Sequence, residues 1–278
     1  SNFFFSSDVL GFIEYTDDAI YIENGNFAIM SKNEFKILDF NGEAVKYQIT
    51  KVSKEFADSY KGEYAHFTLK EIYEQNETIL KAGERSEDGI IKAADFIKHA
   101  KNVYITGSGT SYNSALIAKH IFSKYAKIKV ETIMSSELQF SPDIIEPNSI
   151  LIAISQSGES ADVLEAVNTA KNVKCKIISI VNLLTSSLVR ESDIAIGMNC
   201  GPEIGVAATK SFTSQLAVLF KIIEKLSNNM VKIDFEEMSR SISKMLEDPT
   251  KIKKIANEMK EISDIYVLGR GIHYPIAI

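Results

Sequence analysis

Six consecutive residues in the middle of the chain, Ser155-Gln156-Ser157-Gly158-Glu159-Ser160, place three hydroxyls, an amide and a glycine in one short stretch. Hydroxyl donors beside the free N–H groups of a helix start are what holds a phosphate, because both point partial positive charge at the anion. A lone Ser-x-x-Glu would serve as an ordinary helix cap. Five polar residues in six, uninterrupted by apolar ones, exceed what one cap needs. A second stretch, Gly107-Ser108-Gly109-Thr110-Ser111, carries hydroxyls of the same kind.

Both stretches stand where a strand gives way to a helix. Residues 149–154 are nearly all apolar, as in a parallel strand covered on both faces. After Gly158, residues Ala161, Leu164, Ala166, Val167 and Ala170 give a helical register, with Asp162 and Glu165 on the other side. From Asn102 onward the pattern alternates: strands at 103–106, 128–133, 149–154, 175–181 and 193–197, helices at 112–125 and 209–226. Such βαβ alternation predicts an α/β fold with a mostly parallel sheet and helices on both faces. Ligands of such sheets bind beyond the carboxyl ends of the strands, where both polar turns fall.

The Gly107-x-Gly109 turn invites a dinucleotide reading. That fingerprint requires a third glycine where this chain has Tyr112, and Glu131 opens no ribose-binding motif. Ser108, Thr110 and Ser111 favour a sugar or a phosphate instead.

Composition narrows the classes further. The 278 residues are 45% hydrophobic and 24% charged, with a net charge of −6 and a pI near 5.4. This is an ordinary globular balance for one large or two modest domains, and it argues against nucleic acid or an anionic membrane as partner. Cys175 and Cys200 belong to no metal-binding or redox spacing, so no metal site or disulfide is expected, and no cofactor. His66, His99 and His120 occur singly, as packing or surface residues do. Neither a signal peptide nor a membrane span is read, which makes the cytoplasm the default.

The flanking segments differ from the central one. Residues 1–62 alternate β-like runs with Asn24-Gly25 and Asn41-Gly42, predicting hairpins between 19–23 and 26–30 and between 34–39 and 43–50. Two hairpins make a sheet edge, and so the end of a domain that begins elsewhere. Residues 51–62 read as a linker. Helices are expected at 66–75, with Leu69, Ile72 and Tyr73 on one side, and at 88–100, with Ile91, Ala94, Phe96 and Ile97. The charged 81–88 between them reads as a solvated connection. Residues 233–262 give two amphipathic helices, the second marked by Asp248-Pro249. A strand at 264–268 then leads to Gly269-Arg270-Gly271. Tyr104, Gly107, Gly109, Tyr112 and Ala115 recur at one constant offset as Tyr266, Gly269, Gly271, Tyr274 and Ala277, the mark of an internal duplication.

In these residues the chain resembles the glutamine–fructose-6-phosphate aminotransferase (isomerising) family, which makes glucosamine 6-phosphate. The matching stretches run through all 278 residues: Asn2-Phe3 with Ser7-Asp8, residues 70–75 (Lys-Glu-Ile-Tyr-Glu-Gln), 109–114, 155–159, 186–193, Glu203-Ile-Gly-Val-Ala207 with Thr209-Lys210, and Gly269-Arg-Gly with 274–277. The Ser-Gln-Ser-Gly-Glu turn alone would indicate only a sugar isomerase (SIS) domain.

The resemblance implies a division of the chain. Residues 1–62 would be the last hairpins of a glutaminase domain, and 63–101 a linker with the helices leading into the first SIS domain at 102–230. Connecting helices at 231–263 and the start of a second, truncated SIS domain at 264–278 would follow. It implies that Ser111, Ser155, Gln156, Ser157 and Ser160 bind the phosphate of fructose 6-phosphate or glucosamine 6-phosphate, and that Thr110 and Val206 line the sugar. It implies a homodimer, glutamine handled by a glutaminase domain outside the chain, and catalytic residues outside it too, so that these residues alone would not turn over. Ser108, Ser160 and Ala208 stand where the family more often has cysteine, threonine and serine. Glu137 and Glu203 could touch substrate or hold helix ends, and His273, in its glycine turn, is not the family's catalytic histidine. Two rival readings remain: a non-catalytic SIS-domain phosphosugar sensor, and a lone-SIS isomerase, against which the repeat counts.

Overall fold

The computed structural model describes residues 3–6, 12, 15–23, 25–31, 34–51, 61–228 and 230–278, and the chain divides into two units, Ser1–His66 and Phe67–Ile278. Within the first, β1 (Asp18–Ala19) pairs antiparallel with β4 (Thr50–Lys51), and β2 (Asn26–Met30) with β3 (Phe35–Asp39). The Asn41-Gly42 turn forms: the Asp39 carboxylate accepts from the N–H groups of Asn41 and Glu43, each at 2.9 Å. Pairing beyond it stops at a single bridge, Leu38 to Ala44, instead of a strand over 43–50. The hairpin expected across Asn24-Gly25, whose Asn24 lies outside the described residues, is replaced by the β2–β3 pair, closed by Ser31 N–H donating to Glu34 O at 2.8 Å. A turn signal says where the chain reverses, while the choice of partner is made by side chains far along it. The expected linker is largely outside the described residues, as are Asn2, Ser7 and Asp8.

The second unit opens with α1 (Phe67–Tyr73), α2 (Gln75–Lys81) and α3 (Glu87–His99). It then alternates β5 (Val103–Gly107), α4 (Thr110–Ile121), β6 (Val130–Met134), α5 (Ser135–Leu138), β7 (Ile150–Ser155), α6 (Ala161–Asn172), β8 (Lys176–Val181), α7 (Ser187–Arg190), β9 (Ile194–Gly197) and α8 (Lys210–Leu226). The five strands form one parallel sheet in the order β6-β5-β7-β8-β9, the expected α/β arrangement. Successive strand residues face opposite sides. Ile150, Ile152 and Ile154 join a core with Ile97, Ala118 and Ile222 of α3, α4 and α8, whereas Leu151 and Ala153 join Val163, Val167 and Ala170 of α6. Each of these isoleucines is at least 96% buried and contributes about 1.5–3 kcal/mol, so the sheet is a rigid base for the loops at its ends.

Three expectations about the flanks are corrected. The 81–88 connection is docked on β9: Gly83 N–H donates to Gly197 O at 3.1 Å, and Gly197 N–H to the buried Ser86 Oγ at 2.9 Å. In α1 the buried residue is Glu71, while Leu69 is exposed. After α9 (Phe235–Glu247) and α10 (Thr250–Met259), residues 264–268 run without any strand partner, with Tyr266 and Leu268 about nine-tenths exposed. A strand exists only through a hydrogen-bonded neighbour, and none of the five offers one. The glycine turn beyond still mirrors its counterpart: Gly109 and Gly271 both take positive φ, +54° and +62°, just ahead of α4 and of the short α11 (Tyr274–Ala277).

Candidate functional site

From β5 the chain crosses to β6 on one side of the sheet and then returns over β5 to β7 on the other. The loops leaving β5 and β7 therefore diverge and leave a crevice at their carboxyl ends, the switch point of a doubly wound sheet. Gly107 pairs with Ile154, so both polar turns flank that crevice. Helices α4 and α6, twelve residues each, start there and direct their positive ends into it.

The turn after β7 is built by its own side chains. Ser155 is buried at the strand end, and its Oγ accepts from Gly158 N–H at 3.0 Å and lies 3.4 Å from Ser160 Oγ. Ser157 Oγ accepts from Glu159 N–H at 3.2 Å. Ser160 precedes α6 without making a side-chain cap, so the serines are not spent on capping. Gln156, half-buried, is tied through its carbonyl to Asn182 N–H at 3.0 Å. The Glu159 carboxylate points away and accepts from Ser187 N–H at 2.7 Å, clamping the turn to α7. That bond, a hydrogen bond from the Ser187 side chain and the Arg190 charge hold its carboxyl below the usual range. Gly158 sits at φ +69°, with Ser186 Oγ only 2.2 Å from where a Cβ would be, so a glycine is required.

In the turn after β5, Thr110 is exposed at the start of α4 and Ser111 is buried behind it. Ser111 Oγ accepts from the buried Gln215 Nε2 of α8 at 2.9 Å, which leaves its own proton to donate elsewhere. Ser108 Oγ lies 2.6 Å from Ser135 Oγ at the start of α5, so the position keeps a polar partner. The sequence reading missed Gln215 and Ser135. The signal for Gln215 was a lone amide on the apolar stripe of α8 beside Leu216 and Leu219.

Val206 stands apart, on the loop that follows β9, with its side chain fully exposed. Glu203 on that loop holds a helix end: its Oε1 accepts from Thr209 N–H at 2.9 Å and Ser211 N–H at 3.1 Å at the start of α8, and Ser211 Oγ donates to its Oε2. Glu137 is exposed and accepts from Ser136 Oγ at 3.0 Å. Beneath the loop, Lys210 is buried and bonded to Glu74 Oε2 at 2.6 Å, and Lys70 bridges the same carboxylate at 2.9 Å. Burial pushes the Glu74 carboxyl up, but the hydrogen bonds and charges of Lys210 and Lys70 outweigh it and hold it low.

The sheet is doubly wound with a serine-rich turn at its switch point, and residues 96–223 match the SIS domain. Along 99% of its length the chain is similar to glutamine–fructose-6-phosphate aminotransferases (isomerising). It is 36% identical over 284 residues to that of Pyrococcus horikoshii and 35% over 294 residues to that of Francisella tularensis, covering 47% and 48% of them. The chain thus spans about half the length of these relatives. The solved C-terminal domain of glucosamine-fructose-6-phosphate aminotransferase from Francisella tularensis superposes with a TM-score of 0.68 at 36% identity, over 78% of this chain and 66% of that one. The family resemblance and the SIS fold read from the sequence are both borne out.

Proposed function

We propose that this chain is the sugar-phosphate-holding part of a glutamine–fructose-6-phosphate aminotransferase. In this reading fructose 6-phosphate and its product glucosamine 6-phosphate place their phosphate in the crevice between the 107–111 and 155–160 turns. The convergence of two hydroxyl-rich turns and two helix N-termini at one switch point carries the reading. Ser111, Ser155, Gln156, Ser157 and Ser160 take the phosphate oxygens, while Thr110 and Val206 face the sugar. A dianion fits because every contribution is a donor or a positive helix end.

The domain limits follow the same reading: glutaminase hairpins at 1–62, linker and leading helices at 63–101, the first SIS domain at 102–230, connecting helices at 231–263 and the opening of a second SIS domain at 264–278. Support for the last is the matching pair of positive-φ glycines. Proton transfer on the sugar and release of ammonia from glutamine belong to groups outside these residues, and the whole enzyme is a cytoplasmic homodimer.

Calorimetric titration of this polypeptide tests the site. Fructose 6-phosphate should bind, inorganic phosphate should compete and fructose should not. Ser157→Ala removes one charge-assisted hydrogen bond, worth about 1.5 kcal/mol, and should weaken binding about tenfold. Fructose binding as well as its phosphate, or Ser157→Ala binding like wild type, would refute the assignment.

A further inference from the structure

Two stretches about 130 residues apart, the Lys70-Glu-Ile-Tyr-Glu-Gln75 segment and the Glu203-Ile-Gly-Val-Ala207 loop, are a single device in the structure. Glu71 of α1 is only 2% exposed, yet its carboxylate accepts from backbone amides of the loop. Oε1 accepts from the N–H groups of Ile204 and Gly205, the latter at 3.0 Å, and Oε2 is 3.2 Å from Gly205 N. A carboxylate accepting two backbone N–H groups fixes the path of those residues as a helix cap fixes a first turn.

The approach is close. A Cβ on Gly205 would lie 2.5 Å from Glu71 Oε2, 2.5 Å from Thr68 Oγ1 and 3.2 Å from Thr68 Cα, so any side chain there would push the Glu71 carboxylate and the Thr68 hydroxyl aside. Just past the end of α1, Glu74 takes the buried Lys210 at the start of α8. Glu203 holds the N–H groups of Thr209 and Ser211 at the same helix end. The loop is thus pinned at both ends, and Val206 is thrown outward immediately beyond the Glu71 grip.

We propose that Glu71 is a positioning residue for sugar recognition. It sets the 204–206 backbone so that Val206 and its neighbours meet the carbon skeleton, while the phosphate is held independently by the turns after β5 and β7. The inference rests on the reading of the crevice as a sugar-phosphate site. It predicts a division of labour: loosening the Glu71 grip lowers the fraction of chains with the loop in its binding position, and the apparent affinity for the sugar falls by that fraction. Phosphate alone does not sense the loop.

The test compares fructose 6-phosphate and inorganic phosphate, titrated separately into this polypeptide as wild type, Glu71→Gln and Ser157→Ala. Glu71→Gln should weaken fructose 6-phosphate about tenfold and leave inorganic phosphate within twofold. Ser157→Ala should weaken both. A purely structural role for Glu71 would lower thermal stability and leave the ratio of the two affinities unchanged, which would overturn the inference. Should Glu71→Gln not fold, Gly205→Ala loosens the same contact from the loop side, and the same selective loss is expected. Equal loss for both ligands, or no loss, in that variant overturns it as well. A wild-type chain that binds neither ligand overturns the site reading and this inference with it, whereas a chain that binds both but shows no selectivity in the variants overturns this inference alone.

Discussion

Replacing Gly158 by alanine tests the architecture of the serine turn directly. The residue sits at φ +69°, and an L side chain in that left-handed region costs about 1–2 kcal/mol. The added methyl would also stand 2.2 Å from Ser186 Oγ, 2.6 Å from Ser186 Cβ and 3.4 Å from Val181 Cγ1. A hydroxyl can rotate away, but Ser186 Cβ is fixed to the backbone that starts α7. Leu188 N–H donates to Gly158 O at 3.0 Å, so that backbone moves with the turn. Overpacking of this kind costs about 1–3 kcal/mol, so Gly158→Ala should destabilise the second unit by about 2–5 kcal/mol in all. Urea unfolding followed by far-ultraviolet circular dichroism, which the helices of that unit dominate, measures it. Adding Ser186→Gly removes the clash and leaves the backbone cost, and a glycine at that helix start costs only a few tenths. The double-mutant cycle should therefore return about 1–3 kcal/mol of favourable coupling. Gly158→Ala within about 0.5 kcal/mol of wild type, or a cycle without coupling, would refute the reasoning.

Glu74→Gln leaves the buried Lys210 charge without its carboxylate and should cost about 2–4 kcal/mol by chemical denaturation, below the top of the range for buried pairs because Glu74 is partly exposed. Because the folded carboxyl is held below the ordinary carboxylate value, its contribution is present above that ordinary value and is lost as pH falls through the lower folded value, and an acid titration of stability should lack this component in Glu74→Gln. Glu203→Ala strips the start of α8 of two N–H partners and a hydroxyl partner, and thermal unfolding should report about 1–2 kcal/mol lost. Burial pushes the Cys200 thiol up to about 12, with the Glu203 charge adding, and burial raises Cys175 as well. Neither should react with a thiol reagent at pH 8 until the protein unfolds, and rapid labelling of native protein would contradict their placement.

The central sheet was legible because strands covered on both faces read as near-continuous apolar runs, as β5, β7 and all but the first residue of β8 are buried. All five lie within two residues of where the apolar runs place them, and both polar turns fall at strand ends. The first unit was less legible. Its two Asn-Gly pairs marked turns, but β2 took β3 as its partner and β1 took β4, a choice made across residues distant in sequence. Residues 264–268 have the composition of a strand, yet nothing local to that stretch supplies the neighbour a strand requires.

At the site the division is similar. Residue types and spacing determined that Ser155, Ser157, Ser160, Thr110 and Ser111 would stand on strand-to-helix turns, since periodicity and turn chemistry are properties of a few neighbouring residues. The tertiary structure decided which groups set the direction of those side chains and of the loop beyond β9: Gln215 behind Ser111, Ser187 against Glu159, and Glu71 beneath Ile204 and Gly205. The periodicity of the 66–75 helix, with Leu69, Ile72 and Tyr73 on one side, gives no sign that Glu71 is buried. Glu71 is buried only because a loop more than a hundred residues away brings two unsatisfied N–H groups to meet it. Such partners offset what a carboxylate loses in leaving water, but no window of sequence contains both halves of that exchange.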